Sequence, residues 1–315
     1  MSENTQRDVF FQRLYEIART DKNVVVVTAD MSAPALDRYR IELPNQFVNV
    51  GIAEQNAILI ASGLSIVGKK VYAYAISPFI TLRCLEQIRV SNAIMEIPIV
   101  IVGMGTGLSY CNDGPTHHLL EDIAIMRALP NVQIINITDN VMAGAYADIS
   151  YDSRKTQYIR IDKDVYPDIY SKNYDFSLGV AHVEKGTENL LLTSGPMTHI
   201  LAKIVRRIKK KNNNLDIGVV DVHKFPVNED IFIQIVRDTK KILTVEEHFL
   251  PGGLGSAVLE CLNNYAIHIP MKRMGLDPSI GYKNCYQYGG REIIRKHYGI
   301  DQDSIEKEIM EFFKI

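Results

Sequence analysis

The chain has 315 residues, of which 46% are hydrophobic and 23% charged, and its formal net charge is −2. This length suits two domains, and the near-neutral charge gives the chain no electrostatic reason to bind nucleic acid or acidic membranes. No apolar run approaches the roughly 20 residues that span a bilayer. The four cysteines are too scattered for a zinc site and suit a reducing compartment, so we expect a cytoplasmic protein.

Strands and helices are predicted to alternate through the first half of the chain. The apolar side chains of residues 8–19 have helical spacing, and the valines of residues 24–27 are typical of a strand buried on both faces. Further strands are predicted at 47–50, 71–76, 98–102, 132–137 and 158–161, with helices at 53–67, 79–95, 119–128 and 139–150. Such alternation favours a parallel sheet covered by helices on both faces. We assign residues 1–170 to this first domain.

A segment rich in Asp, Lys, Tyr and Asn then interrupts the alternation, and we interpret residues 171–188 as a linker that contains a short extended piece at 180–183. Alternation resumes beyond it, with strands predicted at 190–193, 217–222, 242–245 and 268–272, and helices at 197–210, 228–238, 254–264, 289–298 and 302–313. We therefore predict an α/β fold with two domains, residues 1–170 and 189–315, each a mainly parallel sheet with helices on both faces.

One carboxylate stands out in the first domain. Glu54 opens a predicted helix directly after a short strand and Gly51, and it lies among Ile52, Ala53 and Ala57. The helix dipole favours a carboxylate at this end, so an ordinary helix-start charge is one interpretation. An apolar setting also prepares a carboxyl group for proton transfer, which is the functional alternative.

A glycine-rich run and a polar loop follow the third predicted strand. Residues 103–107 resemble a dinucleotide fingerprint, but residues 108–115 cannot form the helix that this motif requires directly after its glycines. The loop then supplies Asp113, His117 and His118. His117 and Glu121 could share a helix face as metal ligands, but no third ligand is apparent, so we predict that this chain ligates no metal.

Three motifs carry a family resemblance: NVGIAEQN at residues 49–56, DGPTHH at 113–118 and RALPNVQII at 127–135. Together they resemble the pyrimidine-binding half of thiamine diphosphate enzymes, above all transketolase. Residues 244–248 and 252–256 are similar to the C-terminal domain of the same family, so the resemblance covers essentially the whole chain. It implies a transferase that moves a two-carbon ketol, or another acyl-anion equivalent, from a ketose donor to an aldehyde or ketone.

The resemblance also implies residue roles. Glu54 is then the catalytic acid that protonates the aminopyrimidine ring of the cofactor, and Phe79 and Arg83 bind the same ring. Asp113 and the catalytic His117 hydrogen-bond to the donor sugar, and Arg160 binds a phosphate on the acceptor. A core phenylalanine and a surface arginine are the alternative interpretations of Phe79 and Arg160.

Departures from the family pattern imply a divided enzyme. The chain has no Gly-Asp-Gly motif, which in the family holds Mg²⁺ on the cofactor's diphosphate. We therefore expect a separate N-terminal subunit that ligates Mg²⁺, an α2β2 heterotetramer, and activity only in the complex. Gly105 stands where transketolase has a histidine, and Pro34 stands near the position of a serine, so the acceptor could be a phosphosugar or a larger activated sugar.

Other functions remain compatible with the same resemblance. A 2-oxo acid dehydrogenase beta chain and a decarboxylating enzyme like deoxyxylulose-phosphate synthase share the cofactor, although DGPTHH argues against the dehydrogenase. A non-catalytic regulatory subunit is a third alternative. The presence of both Glu54 and His117 argues against it, because a subunit without chemistry needs neither.

Overall fold

The computed structural model describes residues 4–31, 33–213 and 215–315. Its chain divides into two compact units. The first unit runs to Ser109 and resumes over Ile125–Lys172, whereas the second consists of Tyr110–Ala124 and Asn173–Ile315. The chain therefore passes from one unit to the other three times.

The first unit alternates helices with strands. Its helices are α1 (Gln6–Thr20), α2 (Pro34–Glu42), α3 (Glu54–Ile66), α4 (Ser77–Ile80), α5 (Leu85–Gln87), α6 (Asp122–Met126), which begins in the second unit, and α7 (Asn140–Asp152). Its strands are β1 (Val24–Thr28), β2 (Phe47–Asn49), β3 (Lys70–Ile76), β4 (Val100–Met104), β5 (Val132–Asn136) and β6 (Thr156–Ile161). Pro44–Gln46 forms a 3-10 turn, and Ile88–Ile94 is π-helical.

Six strands of the first unit pair in parallel, in the order β5-β6-β4-β3-β1-β2. All five residues of β1 are buried, as the valine run predicts, because a parallel strand between two neighbours is covered on both faces. The carboxyl ends of the strands share one edge of the sheet. Residues that follow β1, β2, β3 and β4 therefore lie where open α/β sheets bind ligands.

The segment predicted as one helix over residues 79–95 forms three shorter pieces. Pro78 lies in the first turn of α4, and Thr81 ends that helix with its hydroxyl donating to the Ser77 carbonyl oxygen at 2.6 Å. A hydroxyl that binds a backbone carbonyl competes with regular helix geometry, and apolar spacing does not reveal this. Arg83 consequently lies in a turn between α4 and α5 rather than on a helix.

The second unit contains the remaining elements. Its strands are β7 (Val180–Glu184), β8 (Asn189–Thr193), β9 (Ile217–Val222), β10 (Lys224–Phe225), β11 (Lys241–Phe249) and β12 (Met271–Leu276). Its helices are α8 (Met197–Lys211), α9 (Glu229–Val236), α10 (Leu254–Asn264), α11 (Arg291–His297) and α12 (Gln302–Phe313), with a 3-10 turn at Lys283–Tyr286.

Five strands of the second unit form a sheet in the order β12-β11-β8-β9-β7. All pairs are parallel except that of β7 with β9. The antiparallel edge strand β7 lies where the sequence pattern predicts a short extended piece within the linker of residues 171–188. A core of apolar side chains from α8, β9, β11 and α12 packs on this sheet.

The predicted fold class is confirmed, since both units are mainly parallel sheets flanked by helices. Within the described ranges, no helix has both the length and the apolar character needed to cross a bilayer.

Candidate active site

Local backbone contacts place Glu54 at the start of α3. The side chain of Asn49, at the end of β2, accepts hydrogen bonds from the backbone N–H groups of Asp30 at 3.1 Å and Gly51 at 3.0 Å. Gly51 has a φ of +74°, in the left-handed region that favours glycine. This turn leads the chain from the sheet edge directly into α3, so Glu54 is held at the helix N-terminus, where the dipole favours a carboxylate.

Glu54 is buried, with 4% of its surface exposed, and it is paired with Arg83. Its Oε2 accepts a hydrogen bond from Arg83 Nη1 at 2.7 Å. The same guanidinium lies over the ring of Phe79, with Cζ 4.2 Å from the ring centroid. The Arg83 side chain is 44% exposed, so this cluster reaches solvent. The structure therefore brings together the three residues predicted to bind the cofactor.

This cluster fits an aminopyrimidine ring. Among the described residues, none donates a hydrogen bond to Oε1 of Glu54, which leaves that atom for a ring nitrogen. Phe79 is half-buried and offers an aromatic surface for stacking. Burial, and to a smaller extent the Glu54 carboxylate, raises the pKa of the neighbouring Cys84 thiol to about 12. The thiol is therefore neutral and adds no charge to the cluster.

Arg160 lies on a strand of the first unit. It is part of β6 and only 3% exposed, so it is not a surface arginine. Glu54 forms an ion pair with Arg83, and Arg160 is buried in the sheet. Charged side chains are seldom this deeply buried without a specific role or partner.

The backbone at Gly105 differs from what a histidine at this position would need. Gly105 has a φ of +93°, and its N–H donates to the carbonyl oxygen of Ile161 at 2.7 Å. A residue with a side chain would be strained in this conformation. The backbone conformation at position 105 therefore favours glycine over the histidine that transketolase has there.

Asp113 and His117 lie on the segment Tyr110–Ala124, which belongs to the second unit. We call this segment the histidine loop. Two backbone turns shape it, because the N–H of Asp113 donates to Tyr110 O and that of His117 donates to Gly114 O, each at 3.0 Å. Asp113 is exposed and His117 is half-buried, so both side chains are accessible to a ligand.

The next residue of the histidine loop, His118, is buried and 3% exposed. Among the described residues, neither of its ring nitrogens makes a hydrogen bond of standard geometry. Burial lowers the pKa of His118, and the nearby Glu247 carboxylate and Tyr110 carbonyl offset only part of that effect. His118 is therefore a neutral imidazole at pH 7. The sequence pattern alone does not distinguish this buried histidine from the accessible His117.

Glu247, near His118, is itself held by two arginines. Arg295 Nε donates to Glu247 Oε1 at 2.6 Å, and Arg291 Nε donates to the same oxygen at 3.1 Å. Burial alone would raise the pKa of Glu247, but Arg291 and Arg295 outweigh it and lower that pKa to about 2. Glu247 is consequently a permanent buried anion in the second unit.

Glu121, the candidate metal partner of His117, makes other contacts. It accepts hydrogen bonds from the Tyr282 hydroxyl and, at 3.1 Å, from the Leu120 N–H. Burial raises the pKa of Glu121. In the part of the chain that the structure describes, no group of three or more His, Cys, Asp or Glu side chains is placed to hold a metal ion. Tyr282 lies far along the sequence, so no spacing rule could have found this contact.

A parallel α/β unit with a buried carboxylate at a helix start, followed by a second mainly parallel unit, has the organisation of the last two domains of a thiamine diphosphate enzyme. Comparison with family models agrees with this class. Residues 3–168 match the transketolase pyrimidine-binding domain, and residues 179–305 match the transketolase C-terminal domain. The chain belongs to the transketolase family.

Three relatives have nearly the same extent as this chain. It is 32% identical to one subunit of the apulose-4-phosphate transketolase of Phocaeicola vulgatus, over 98% of this chain and 97% of that protein. It is 27% identical to a subunit of the 6-deoxy-6-sulfo-D-fructose transketolase of Clostridium sp., over 97% and 93%. A structure described as a split gene transketolase, inactive beta4 tetramer, superposes with a TM-score of 0.85 at 26% identity, covering 98% of this chain and 97% of that one. These matches confirm the prediction that the chain is a C-terminal subunit of a split transketolase, which is a transferase.

Proposed function

We propose that this chain supplies the pyrimidine-binding half of a split transketolase active site. With its partner, the chain transfers a two-carbon ketol from a ketose donor to an aldehyde or ketone, with thiamine diphosphate as cofactor. The observation that carries this proposal is the buried Glu54 carboxylate at the start of α3, hydrogen-bonded to an arginine that covers Phe79. Relatives of the same length that are named as single subunits of transketolases support the divided organisation.

The residues of the first unit act on the cofactor's ring. Thiamine diphosphate, when bound, supplies the nucleophilic carbon that takes up the two-carbon unit. Glu54 exchanges a proton with the aminopyrimidine ring, and general acid–base catalysis of this kind contributes about 10²- to 10⁴-fold. Phe79 and Arg83 bind and orient the same ring by stacking.

The residues of the histidine loop act on the donor. Asp113 accepts hydrogen bonds from sugar hydroxyl groups, and His117 donates to the carbonyl oxygen. Their positions at the surface of the loop support this role, because a substrate can reach both side chains. Arg160 binds the acceptor's phosphate through its guanidinium fork. With glycine at position 105, Arg160 is the main cation that this chain offers to that phosphate.

An exposed apolar surface of the first unit is the proposed docking site for the partner. Helix α3 and the π-helix pack together, as the buried hydrogen bond from Asn92 Nδ2 to Ser62 Oγ at 3.1 Å shows. We call the exposed apolar side chains on these helices and at their ends the apolar face: Leu59, Ile66, Val67, Val90, Ile94 and Met95. Contiguous exposed apolar surface marks interaction sites, so we place the partner subunit here.

The partner chain ligates Mg²⁺ through oxygen ligands, and two copies of each chain form an α2β2 heterotetramer. The solved relative that is described as a beta4 tetramer supports a multimeric assembly. All four cysteines lie among the described residues and are free, which is compatible with the predicted cytoplasmic location.

Reconstitution with the partner subunit tests this function. The complex, given thiamine diphosphate and Mg²⁺, should transfer a ketol from D-xylulose 5-phosphate to an aldehyde acceptor without releasing CO₂. This chain alone should bind the cofactor weakly and turn over neither substrate. Release of CO₂ from pyruvate, with no ketol transfer from the ketose, would identify a decarboxylating synthase instead. Tight, Mg²⁺-dependent cofactor binding by this chain alone would refute the split site.

A further inference from the structure

The C-terminal end of the histidine loop, away from Asp113, is attached to the sheet of the second unit. The N–H of Phe249 donates to Leu120 O at 2.9 Å, and the N–H of Ala124 donates to His248 Nε2 at 3.4 Å. Both attachment points lie at the carboxyl end of β11. Residues 118–120 are also buried, so this half of the loop is part of the core of the second unit.

The protonation of His248 follows from its contacts. A backbone N–H can only donate, so the Nε2 that faces Ala124 is an acceptor without a proton. The proton is then on Nδ1, which lies 2.5 Å from the carbonyl oxygen of Phe249. His248 is 1% exposed, so its contact with Ala124 lies inside the second unit.

Two further contacts hold the same half of the loop. Gly252 has a φ of +73°, and a Cβ atom added there would lie 2.4 Å from the Cβ of Ala124. Only glycine therefore allows the loop to lie this close. On another side, the Tyr282 hydroxyl donates to Glu121, and the Tyr282 ring packs edge-on against Phe249 with centroids 5.2 Å apart.

We propose that the second unit positions Asp113 and His117 for the donor sugar by clamping the far half of the histidine loop. His248, Gly252 and Tyr282 are the positioning residues, and none of them touches the substrate. The inference rests on the proposed role of Asp113 and His117 in donor binding. Its physical basis is that a displacement of about 1 Å in substrate-binding groups can cost about 10²-fold in rate.

Gly252→Ala tests the clamp, because the added methyl group pushes directly on Ala124. Gly299→Ala is the matched control: Gly299 has a similar φ of +67° and nothing within 4 Å of an added Cβ. Both variants therefore carry the same kind of backbone strain, and only the first disturbs the loop. The double variant Gly252→Ala/Ala124→Gly removes the methyl group that is struck and leaves Ala124 Cα at 3.1 Å as the nearest contact.

The first measurement needs only the isolated chain. Hydrogen–deuterium exchange of peptides that cover residues 110–124 should rise in Gly252→Ala, remain at the wild-type level in Gly299→Ala, and recover in the double variant. The second measurement uses the reconstituted complex with D-xylulose 5-phosphate. The donor's kcat/KM should fall about tenfold or more in Gly252→Ala, with cofactor affinity unchanged because Glu54, Phe79 and Arg83 are untouched.

Asp113→Ala separates the clamp from the proposed function. If Asp113→Ala leaves the donor KM unchanged, the donor-binding role is wrong, and the clamp proposal, which depends on that role, is wrong as well. If Asp113→Ala raises that KM while Gly252→Ala behaves like Gly299→Ala in exchange or in kinetics, the clamp alone is overturned. Should Gly252→Ala fail to fold, Tyr282→Phe, which removes a single hydroxyl, is measured by the same two criteria.

Discussion

The guanidinium of Arg83 binds the Glu54 carboxylate at 2.7 Å and covers the Phe79 ring at 4.2 Å. A hydrogen bond to Glu54 and a stack on Phe79 are also the two interactions that we propose for the aminopyrimidine ring. Arg83 is planar and cationic, so it pairs with the carboxylate and stacks on the aromatic ring at the same time. Because Oε1 of Glu54 is still available, ring and guanidinium can share the carboxylate.

Glu54→Gln should abolish proton exchange without disturbing the fold. The amide retains an oxygen that accepts from Arg83, but it has no proton to give, so kcat in the reconstituted complex should fall by about two to four orders of magnitude. Exchange of the thiazolium proton with solvent deuterium should slow in parallel. Glu86→Gln, at an exposed position on α5, serves as the control. Equal exchange in wild type and Glu54→Gln would make Glu54 an ordinary helix-start charge.

Arg83→Ala should weaken cofactor binding more than it slows chemistry. The guanidinium is partly exposed, so we expect the cofactor Kd of the complex to rise by roughly three- to tenfold, equivalent to about 1 kcal/mol of cation–π stacking. Titration calorimetry of the complex measures this change. Arg89→Ala removes an exposed arginine from the adjacent π-helix and should leave Kd unaltered. A Kd that is the same in all three proteins would exclude Arg83 from the cofactor site.

Arg160→Lys should reveal whether the acceptor carries a phosphate. Lysine keeps the charge of this buried position but cannot form two parallel hydrogen bonds to one phosphate. The acceptor KM should therefore rise about tenfold, whereas the donor KM and the kcat at saturating acceptor should change little. Steady-state kinetics with each substrate varied in turn separates these effects. If the acceptor KM is unaffected, another group binds the acceptor, as a larger activated sugar would require.

Leu59→Glu should prevent assembly with the partner. It places a charge on the apolar face, and burying an unpaired carboxylate in an interface is costly. Leu259→Glu is matched to it in residue type and exposure, since Leu59 is 50% exposed on α3 and Leu259 is 42% exposed on α10. Light scattering of the mixed subunits should show loss of the complex for Leu59→Glu only. An intact complex with Leu59→Glu would move the interface elsewhere.

Stability should fall in mild acid because of His223. This side chain is 0% exposed, and burial lowers its pKa to about 4, despite a carbonyl contact with Phe176 at 3.3 Å. The unfolded chain binds the proton near pH 6.5, so the stabilisation is complete above that pH and is lost between pH 6.5 and 4. The loss is on the order of 3 kcal/mol. Urea unfolding at pH 7.5 and 4.5 should show a smaller difference for His223→Gln than for wild type.

The sequence predicts the sheets well because each buried strand is itself a run of apolar residues. The valines of β1 and the apolar residues that follow Glu54 in α3 predict a strand and a helix without any long-range information. Other features depend on contacts that periodicity does not contain. Thr81 interrupts a helix through a side-chain hydrogen bond, and Arg160, whose alternative interpretation is a surface arginine, lies in a buried strand.

The histidine loop shows the same limit at the candidate site. Its motif identifies Asp113 and His117, yet nothing in the spacing indicates that the loop packs in the second unit. That attachment depends on His248, Gly252 and Tyr282, which follow the loop by more than 120 residues. Contacts over such separations are decided by the folded topology, and a local pattern of apolar residues carries no information about them.

The threefold passage of the chain between its units limits how the protein can be taken apart. Neither unit is one continuous piece of sequence, because residues 110–124 interrupt the first and belong to the second. A fragment that ends at Lys172 would contain Asp113 and His117 but lack β11, which holds their loop. The two units are therefore not interchangeable modules: exchange of either one between relatives has to include all three crossings, and the second unit is complete only when residues 110–124 join residues 173–315.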